Sequence, residues 1–307
     1  MATYLVTGGC GFIGSHLADN LIEAGHRVVI LDDLSTGKTE NAPKSAEVII
    51  GDAVDPTVVE KAFKGIDGCF HLAAVASVER SNEAWAETHK VNITATVNIF
   101  EAAKEKKLPV VYTSSAAVYG DHTEMPLSES MMPRPLTAYG ADKYSCELHG
   151  RVAWMTHQIP TAGARPFNIY GPRQDPKSPY SGVISIFADR MLAGKPYRIN
   201  GDGKQTRDFV YVQDIVRVFM ALMAQLDEGC AVYNVCTGKE TSIAQLADTM
   251  ERLCDYKGER EYGPARLGDA RASVGTNALL KEAIGFVPQT PLEEGLKHTL
   301  NWLRQEG

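Results

Sequence analysis

The chain lacks the features that mark membrane, secreted and nucleic-acid-binding proteins. No apolar run approaches the roughly 18 residues of a membrane span, and Met1 leads into a predicted strand without a signal peptide's basic region and cleavage site. No Lys/Arg-rich run occurs, and 31 basic against 38 acidic residues give a formal net charge of −7. We therefore expect no membrane partner, no nucleic-acid partner and a cytoplasmic location.

Cysteine and histidine show no spacing typical of disulfides or metal sites. The chain has eight histidines and no CxxC pair. We expect reduced thiols and no metal, and His71, which follows an apolar strand, is expected to pack in the core. The six scattered cysteines are Cys10, Cys69, Cys146, Cys230, Cys236 and Cys254.

The first distinctive segment is TGGCGFIGSH, residues 7–16, which lies between an apolar strand pattern and a helical one. Gly8 and Gly11 have no Cβ to keep a ligand away from the main chain, and Gly14 lets the helix pack close to the strand. The N-terminus of that helix would attract a pyrophosphate. Glycine also collects in turns for conformational reasons alone, so the motif by itself leaves both interpretations open.

A second strand pattern, RVVILDDL at 27–34, ends in Asp32, about twenty residues beyond the glycine turn. A carboxylate there accepts hydrogen bonds from an adenosine ribose and repels a 2′-phosphate, which favours NAD over NADP. The alternative is an aspartate that only caps the next turn.

Strand and helix patterns alternate through the first half of the chain and thin after about residue 170, where glycine and proline become frequent. This rhythm predicts an α/β fold with a doubly wound parallel (Rossmann) sheet. We expect an NAD-binding domain over residues 1–167, with a later contribution from about 208–237, and a smaller α/β substrate lobe over 168–307.

The segment AYGADKYSCELHG, residues 138–150, places Tyr139 and Lys143 one helical turn apart. An ammonium beside a phenol favours the phenolate, which can act as a general base. Tyrosine and lysine at this spacing are also common on solvated helix faces, so the pair indicates a catalytic site only together with the other motifs of the chain.

Taken together, the motifs resemble the extended short-chain dehydrogenase/reductase family. They are, in order, TGGCGFIG, LDDLSTG, GDA, HLAA, TSSAAVYG, YGADK, NIYGPR and QTRDFVYV. Within that family the chain is similar to nucleotide-sugar 4-epimerases from residue 3 to near 304. The resemblance implies NAD as cofactor and a UDP-hexose as substrate, with transient C4 oxidation, rotation of the 4-keto sugar and re-reduction.

The resemblance also implies roles for single residues. Tyr139 would be the base, Lys143 would tune it, and Ser115 would share the substrate hydroxyl. Arg207 and Arg271 would clamp the diphosphate. The implied cofactor-binding residues are Gly8, Gly11, Phe12, Ile13, Gly14, Asp32, Asp33, Asp52, Ala53, Leu72, Ala73, Ala74, Tyr139 and Lys143. The implied substrate-binding residues are Ser77, Val78, Ser115, Asn168, Tyr197, Ile199, Arg207, Arg271 and Ser273.

Two departures bear on the reaction and the sugar. Dehydratases of this superfamily carry an acidic pair where this chain has Ala116 and Ala117, and the related decarboxylases keep a glutamate there, so elimination is disfavoured. Galactose-pathway epimerases often carry a lysine in the loop after the HLAA motif, where this chain has Val75 and Ala76. In this loop the chain resembles the branch of the family that acts on a wider range of UDP-hexoses. By resemblance, UDP-glucose/UDP-galactose is expected, and UDP-GlcNAc/UDP-GalNAc as well.

Three hypotheses therefore remain at this point. The first is a UDP-hexose 4-epimerase. The second is another nucleotide-sugar enzyme of the family, a 4,6-dehydratase, decarboxylase or reductase. The third is a non-catalytic NAD-sensing protein. The resemblance also implies a homodimer paired through helices at about 84–107 and 138–157 as a four-helix bundle.

Overall fold

The structure is a computed structural model that describes residues 1–176, 182–265 and 270–306. Its strands are β1 (Thr3–Thr7), β2 (Arg27–Asp32), β3 (Glu47–Ile50), β4 (Gly68–His71), β5 (Val110–Thr113), β6 (Thr161–Pro166), β7 (Asn168–Tyr170), β8 (Tyr197–Asn200), β9 (Thr206–Arg207), β10 (Phe209–Tyr211), β11 (Cys230–Val235), β12 (Thr241–Ser242) and β13 (Arg260–Gly263).

The α-helices are α1 (Phe12–Glu23), α2 (Pro56–Ala62), α3 (Val78–Glu83), α4 (Trp85–His89), α5 (Ala95–Ala103), α6 (Ala138–His157), α7 (Val183–Leu192), α8 (Val212–Ala224), α9 (Ile243–Cys254), α10 (Ala278–Ile284) and α11 (Leu292–Glu306). Short 3₁₀ helices span Thr39–Asn41 and Ala116–Tyr119. A π-helical turn at Lys90–Thr94 joins α4 to α5. Within the described ranges, no helix combines the length and the apolar character needed to cross a membrane.

Seven parallel strands form the central sheet, in the order β11-β6-β5-β4-β1-β2-β3. The chain moves outward from β1 through β2 to β3, then crosses back to β4 on the other side of β1. This reversal opens a crevice beyond the carboxyl ends of β1 and β4, where doubly wound folds bind their ligands. The predicted fold class is confirmed.

Each face of the sheet carries its own hydrophobic core because neighbouring residues of a strand point to opposite faces. On β1, Leu5 belongs to one core and Val6 to the other, and both are fully buried. A third core fills the smaller lobe. Three elements beyond residue 167 pack with the sheet: β11 pairs with β6, and α8 and α10 add residues such as Phe219 and Leu280 to the core that contains Val6. The domain bounds at 167 and 208–237 stay predictions.

Candidate active site

The glycine turn after β1 has the shape that the sequence predicts. Gly8 has φ +70°, and a Cβ on it would lie 2.9 Å from the amide nitrogen of Ala73. A Cβ on Gly14 would lie 2.2 Å from the carbonyl oxygen of Gly8. Helix α1 begins at Phe12, and its N-cap residue Gly11 offers no side-chain cap. The first amides of α1 are therefore available to an anion.

Asp32 is hydrogen-bonded to this turn. It is buried, and its two oxygens accept the main-chain N–H groups of Cys10 and Leu34, each at 2.9 Å. A carboxylate has about four acceptor sites, so these two bonds leave capacity for ribose hydroxyls. Asp33 is exposed and accepts the N–H of Ser35 at 2.9 Å, a local turn bond that does not involve the glycine loop.

Asp52 and Ala53 follow β3 at the same edge of the sheet. The Asp52 carboxylate accepts the N–H of Val54 at 2.8 Å, and Ala53 is buried. The side-chain amide of Asn98 donates to the Ala53 carbonyl at 3.0 Å and to that of Val54 at 2.9 Å. This short segment is thus fixed against α5, as an adenine pocket would require.

The end of β4 is fixed by side chains from neighbouring elements. The hydroxyl of Thr7 accepts the N–H groups of Leu72 and Ala73, both at 3.1 Å. Asn92, in the π-helical turn, accepts the N–H of Val75 at 2.8 Å. Ser77 caps α3 by accepting the N–H of Arg80 at 3.0 Å.

His71 lies beneath this segment and is a core residue, as predicted. Its ring nitrogens bond to the hydroxyls of Thr7 (2.8 Å) and Thr96 (3.1 Å). Since the Thr7 hydroxyl already accepts two amides, its proton points to Nδ1, which leaves Nε2 as the donor to Thr96. Burial, with a further contribution from the Lys143 ammonium, lowers the pKa of His71 to about 3.

A cleft of about 1340 Å³ passes along these elements and has room for a dinucleotide. The glycine turn, the loop after β2 and the segment after β4 all contribute to it, which supports the assignment of these three regions to one cofactor. Its lining residues from those regions are Gly11, Phe12, Ser35, Thr36, Lys38, Glu40, Asn41, Ala74, Val75, Ala76, Ser77 and Arg80.

Tyr139 and Lys143 lie in the first turns of α6, at the carboxyl end of β5. Thr137 caps the helix by accepting the N–H of Gly140 at 3.1 Å, which fixes where the helix starts. The Lys143 ammonium is buried and donates to the Thr113 carbonyl oxygen at 2.9 Å. It lies 5.9 Å from the centre of the Tyr139 ring. The pair therefore faces the strand ends and is not a solvated helix face.

Ser115 follows β5 next to this pair. Its Oγ accepts the N–H of Ala117 at 3.1 Å, so its own hydroxyl proton remains available to a substrate oxygen. The 3₁₀ turn that begins directly afterwards contains Ala116 and Ala117, and neither side chain can transfer a proton. The structure thus places one tyrosine, one lysine and one serine at the strand ends, with no acid in the turn that follows Ser115.

The smaller lobe brings Asn168, Arg207 and Ser273 together. Residues 271–273 run parallel to 206–208 through hydrogen bonds from Thr206 N to Arg271 O (3.0 Å), Ser273 N to Thr206 O (3.2 Å) and Asp208 N to Ser273 O (2.9 Å). This register sets Ser273 beside Arg207. Asn168 donates from its side chain to the Asp208 carbonyl at 3.1 Å.

Arg271 differs from Arg207 in its surroundings. Its guanidinium is 64% exposed and pairs with Asp202 at 2.7 Å. The Arg207 guanidinium donates to the carbonyl oxygens of Thr206 (2.7 Å) and Ala270 (2.8 Å). A diphosphate bound by Arg271 would have to displace Asp202 from its guanidinium.

Tyr197 and Ile199 do not present their side chains to a ligand. Both are buried in the core of the smaller lobe, and the Tyr197 hydroxyl donates to Glu251 at 2.6 Å. Strand β8 pairs only with β13 in the described chain, and Tyr197 N donates to Glu259 O across that pair. By strand alternation, the amides that face the open edge belong to Arg198 and Asn200. The substrate contact that the resemblance implies at this strand would therefore use main-chain groups of Arg198 and Asn200 in place of the Tyr197 and Ile199 side chains.

Val78, which the resemblance also implies as a substrate-binding residue, is the first residue of α3 and is 41% exposed. The sequence analysis also did not identify Thr113, whose carbonyl oxygen accepts the hydrogen bond from the Lys143 ammonium. Nothing in the sequence of a short strand indicates which carbonyl oxygen will accept a lysine. No cluster of three or more His, Cys, Asp or Glu side chains suited to a metal occurs in the parts of the chain that the structure describes.

These elements define an α/β enzyme with a dinucleotide cleft and a tyrosine–lysine pair at the carboxyl edge of its sheet. Residues 4–236 match the model of the NAD-dependent epimerase/dehydratase family, and the chain belongs to that family. Its enzymes use NAD, so the cofactor predicted from the glycine turn and Asp32 is confirmed, as is the resemblance to the extended short-chain dehydrogenases.

Similar proteins include several 4-epimerases. A UDP-glucose 4-epimerase of Mycolicibacterium smegmatis is 37% identical over 310 residues, covering 98% of each chain. A Thermotoga maritima UDP-glucose 4-epimerase structure with UDP-glucose is 37% identical at TM-score 0.95, covering 99% of both chains. A UDP-N-acetylglucosamine 4-epimerase from Methanobrevibacter ruminantium is 36% identical at TM-score 0.95, covering 100% of this chain and 99% of its own. UDP-uronic acid decarboxylases are also similar, at 33% and 31% identity.

Proposed function

We propose that this enzyme is a UDP-hexose 4-epimerase. The observation that carries the proposal is the group formed by Tyr139, Lys143 and Ser115 at the end of β5, followed by Ala116 and Ala117 in place of acidic residues. Such a site can move one proton to and from one hydroxyl, and with a hydride acceptor bound beside it, reversible oxidation of a single carbon needs no further acid or base.

In this scheme each residue has a separate task. When bound, NAD supplies a reversible hydride acceptor beside these side chains. Tyr139, as phenolate, takes the proton of the sugar 4-hydroxyl and returns it to the same oxygen once the 4-keto sugar has rotated and C4 has been reduced from its opposite face. Lys143 favours the phenolate through its positive charge, and its own position is fixed by the Thr113 carbonyl. The Ser115 hydroxyl donates to the same substrate oxygen.

Inversion at C4 requires a firmly held nucleotide and a loosely held hexose. Arg207 and Arg271 are the candidates for the diphosphate, because a guanidinium forms strong charge-assisted bonds to phosphate oxygens. The main-chain N–H and C=O of Arg198, at the open edge of β8, offer one donor and one acceptor to the uracil ring. Asn168 and Ser273 lie on either side of the 206–208 segment and would contact the diphosphate and sugar.

Decarboxylation of a UDP-uronic acid is the second candidate, because decarboxylases are among the relatives. The turn after Ser115 argues against it, since alanine stands at both Ala116 and Ala117, where the resemblance gives decarboxylases a glutamate. For the sugar, we propose UDP-glucose/UDP-galactose together with UDP-GlcNAc/UDP-GalNAc. The small side chain of Ser273 beside Arg207 supports the inclusion of the N-acetylated pair.

A second copy of the chain is the proposed partner, paired through α5 and α6. The outer face of α6 exposes Leu148 (48%), Val152 (51%) and Met155 (58%), and α5 exposes Val97 (38%). Residues spaced by four and three positions share one face of a helix, so the α6 residues form one apolar stripe. Burying that stripe against its own copy would remove it from water.

The test is to incubate the purified protein, without added NAD, with UDP-galactose and with UDP-GalNAc, and to look for the 4-epimers. Release of CO₂ from UDP-glucuronate is measured in parallel. Tyr139→Phe keeps the ring and removes the base, so its turnover should fall by roughly 10² to 10⁴-fold with UDP affinity nearly unchanged.

Tyr144→Phe on the same helix is the matched control and should keep native turnover. CO₂ release without epimer formation would replace this proposal with the decarboxylase. A Tyr139→Phe protein that retains most of its rate would remove Tyr139 from the reaction.

A further inference from the structure

A buried ion pair lies one helical turn beyond the catalytic lysine. Glu147 on α6 and Arg165 on β6 are 7% and 4% exposed. Arg165 donates to both carboxylate oxygens, from Nε at 2.7 Å and from its terminal nitrogen at 2.6 Å. A buried charge pair gives little net stability compared with apolar packing, because both groups lose their hydration. Stability alone therefore does not explain its presence here.

Both residues of the pair form hydrogen bonds to the segment around Ser115, one before it and one after it. Glu147 accepts a short hydrogen bond from the buried hydroxyl of Ser114, the residue directly before Ser115. Arg165 donates to the hydroxyl of Tyr119 at 2.8 Å and lies 4.9 Å from the centre of its ring. Tyr119 ends the 3₁₀ turn that Ser115 caps.

The connection continues into the loop that precedes α10. Burial raises the pKa of Tyr119 to about 12, so its hydroxyl stays protonated and donates to Asn234 at 2.6 Å. The Asn234 side-chain amide donates to the carbonyl oxygens of Leu127 (3.0 Å) and Thr276 (3.2 Å). Thr276 lies three residues after Ser273.

The catalytic helix thus holds the end of β5 at two successive residues. Lys143 bonds Thr113, and Glu147 bonds Ser114, at positions four apart on one face of α6. Loss of the second bond removes one of these two side-chain hydrogen bonds from α6, so the Ser115 hydroxyl can shift relative to Tyr139. Shifts of about 1 Å at reacting groups can cost 10²-fold in rate.

We propose that Glu147 and Arg165 are positioning residues that fix Ser115 against the Tyr139–Lys143 pair through Ser114 and Tyr119. The expected effect on the reaction rate rests on the proposed 4-epimerase function. The proposal that the ion pair holds residues 115–119 in place does not depend on that function, and it can be measured separately.

The experiment compares the native protein with Ser114→Ala, Glu147→Gln and the control Thr161→Ala. Ser114 and Thr161 are each 1% exposed, and each hydroxyl bonds to α6, since Thr161 donates to the Gly150 carbonyl at 3.0 Å. Thr161 lies at the opposite end of the sheet from the site. Both alanine variants therefore lose one buried hydroxyl bond to the same helix.

Ser114→Ala should lower kcat for UDP-galactose by roughly 10 to 100-fold, with KM and the Kd for UDP within about twofold of native. Glu147→Gln should lower kcat at least as much. Amide hydrogen exchange of residues 115–119 should be faster in both variants. Thr161→Ala should keep native kcat and native exchange in that segment.

Native kcat and native exchange in Ser114→Ala would overturn the proposal. So would an equal loss of kcat in Thr161→Ala, which would indicate general loosening of the helix. If the native protein does not epimerise UDP-sugars, the proposed function fails by itself, and exchange of residues 115–119 still decides whether the ion pair holds this segment.

Discussion

Gly14→Ala tests the cofactor turn with a single methyl group. A Cβ at this position would lie 2.2 Å from the Gly8 carbonyl oxygen, 2.8 Å from the Gly8 carbonyl carbon and 2.9 Å from the Gly9 Cα. All three are main-chain atoms of the turn that is to hold the pyrophosphate. No side chain can rotate away to make room, so the turn itself must move.

The size of the effect follows from these contacts. Ordinary van der Waals contact begins near 3.4 Å, whereas the added Cβ would lie 2.2 Å from the Gly8 oxygen. The two atoms must therefore move apart by about 1.2 Å. Overpacking of this kind costs about 1 to 3 kcal/mol. If the bound turn bears that cost, the affinity for NAD falls by roughly 5 to 150-fold.

The assay measures NAD in two ways, as moles released per mole of purified protein and as Kd from calorimetric titration. Gly182→Ala is the control, because among the residues that the structure describes its Cβ would meet only the Gln174 side chain, at 3.5 Å, and its φ is −62°. That variant should bind NAD as the native protein does. A folded Gly14→Ala protein with native NAD affinity would refute the assignment of this turn to the pyrophosphate.

Three further predictions concern other parts of the molecule. Arg207→Ala should weaken UDP binding by roughly 10 to 150-fold, since a charged hydrogen bond contributes about 1.5 to 3 kcal/mol, and wild-type affinity by titration would remove Arg207 from the site. His71 has a folded pKa of about 3, below its unfolded value near 6.5, so stability is lost as pH falls through 6.5. His71→Asn should reduce the pH dependence of the unfolding free energy between pH 6 and 4 by about 1.4 kcal/mol per unit, measured by urea titration, and an unchanged slope would contradict a buried neutral imidazole. Val152→Glu should convert a native dimer into a monomer in light scattering, and an unaltered dimer would place the interface elsewhere.

The sequence predicts those parts of the site that depend on local geometry. A glycine turn between a strand and a helix, an aspartate at the next strand end and a tyrosine four residues before a lysine are all set by short-range spacing. Strand alternation could also have predicted that Tyr197 and Ile199 are buried. In the segment YRIN the apolar residues recur at every second position, which indicates that Arg198 and Asn200 form the other face.

Other parts depend on which elements become neighbours in the fold. Arg207 and Arg271 have the same chemistry in sequence, and only the parallel register of 206–208 with 271–273 shows that one lies beside Ser273 while the other pairs with Asp202. Glu147 and Arg165 meet because β6 lies next to β5 under α6. Nothing in the local spacing of these two residues indicates that contact.

The sugar preference depends on one position in that register. Ser273 lies beside Arg207, and its main-chain N–H and C=O are bonded to Thr206 and Asp208, so a larger side chain would extend into the space next to the proposed diphosphate site. In the proposed binding mode, an N-acetyl group at C2 of the sugar would need that space, and steric exclusion from a pocket readily exceeds the 1 to 3 kcal/mol that a methylene-sized difference gives. We expect the native protein to interconvert both UDP-hexose pairs and Ser273→Tyr to lose only the N-acetylated pair. Ser273→Ala, which stays small, is the control and should retain both. The measurement is kcat/KM for both pairs in all three proteins, and equal losses of the two pairs in Ser273→Tyr would show that another residue selects the sugar.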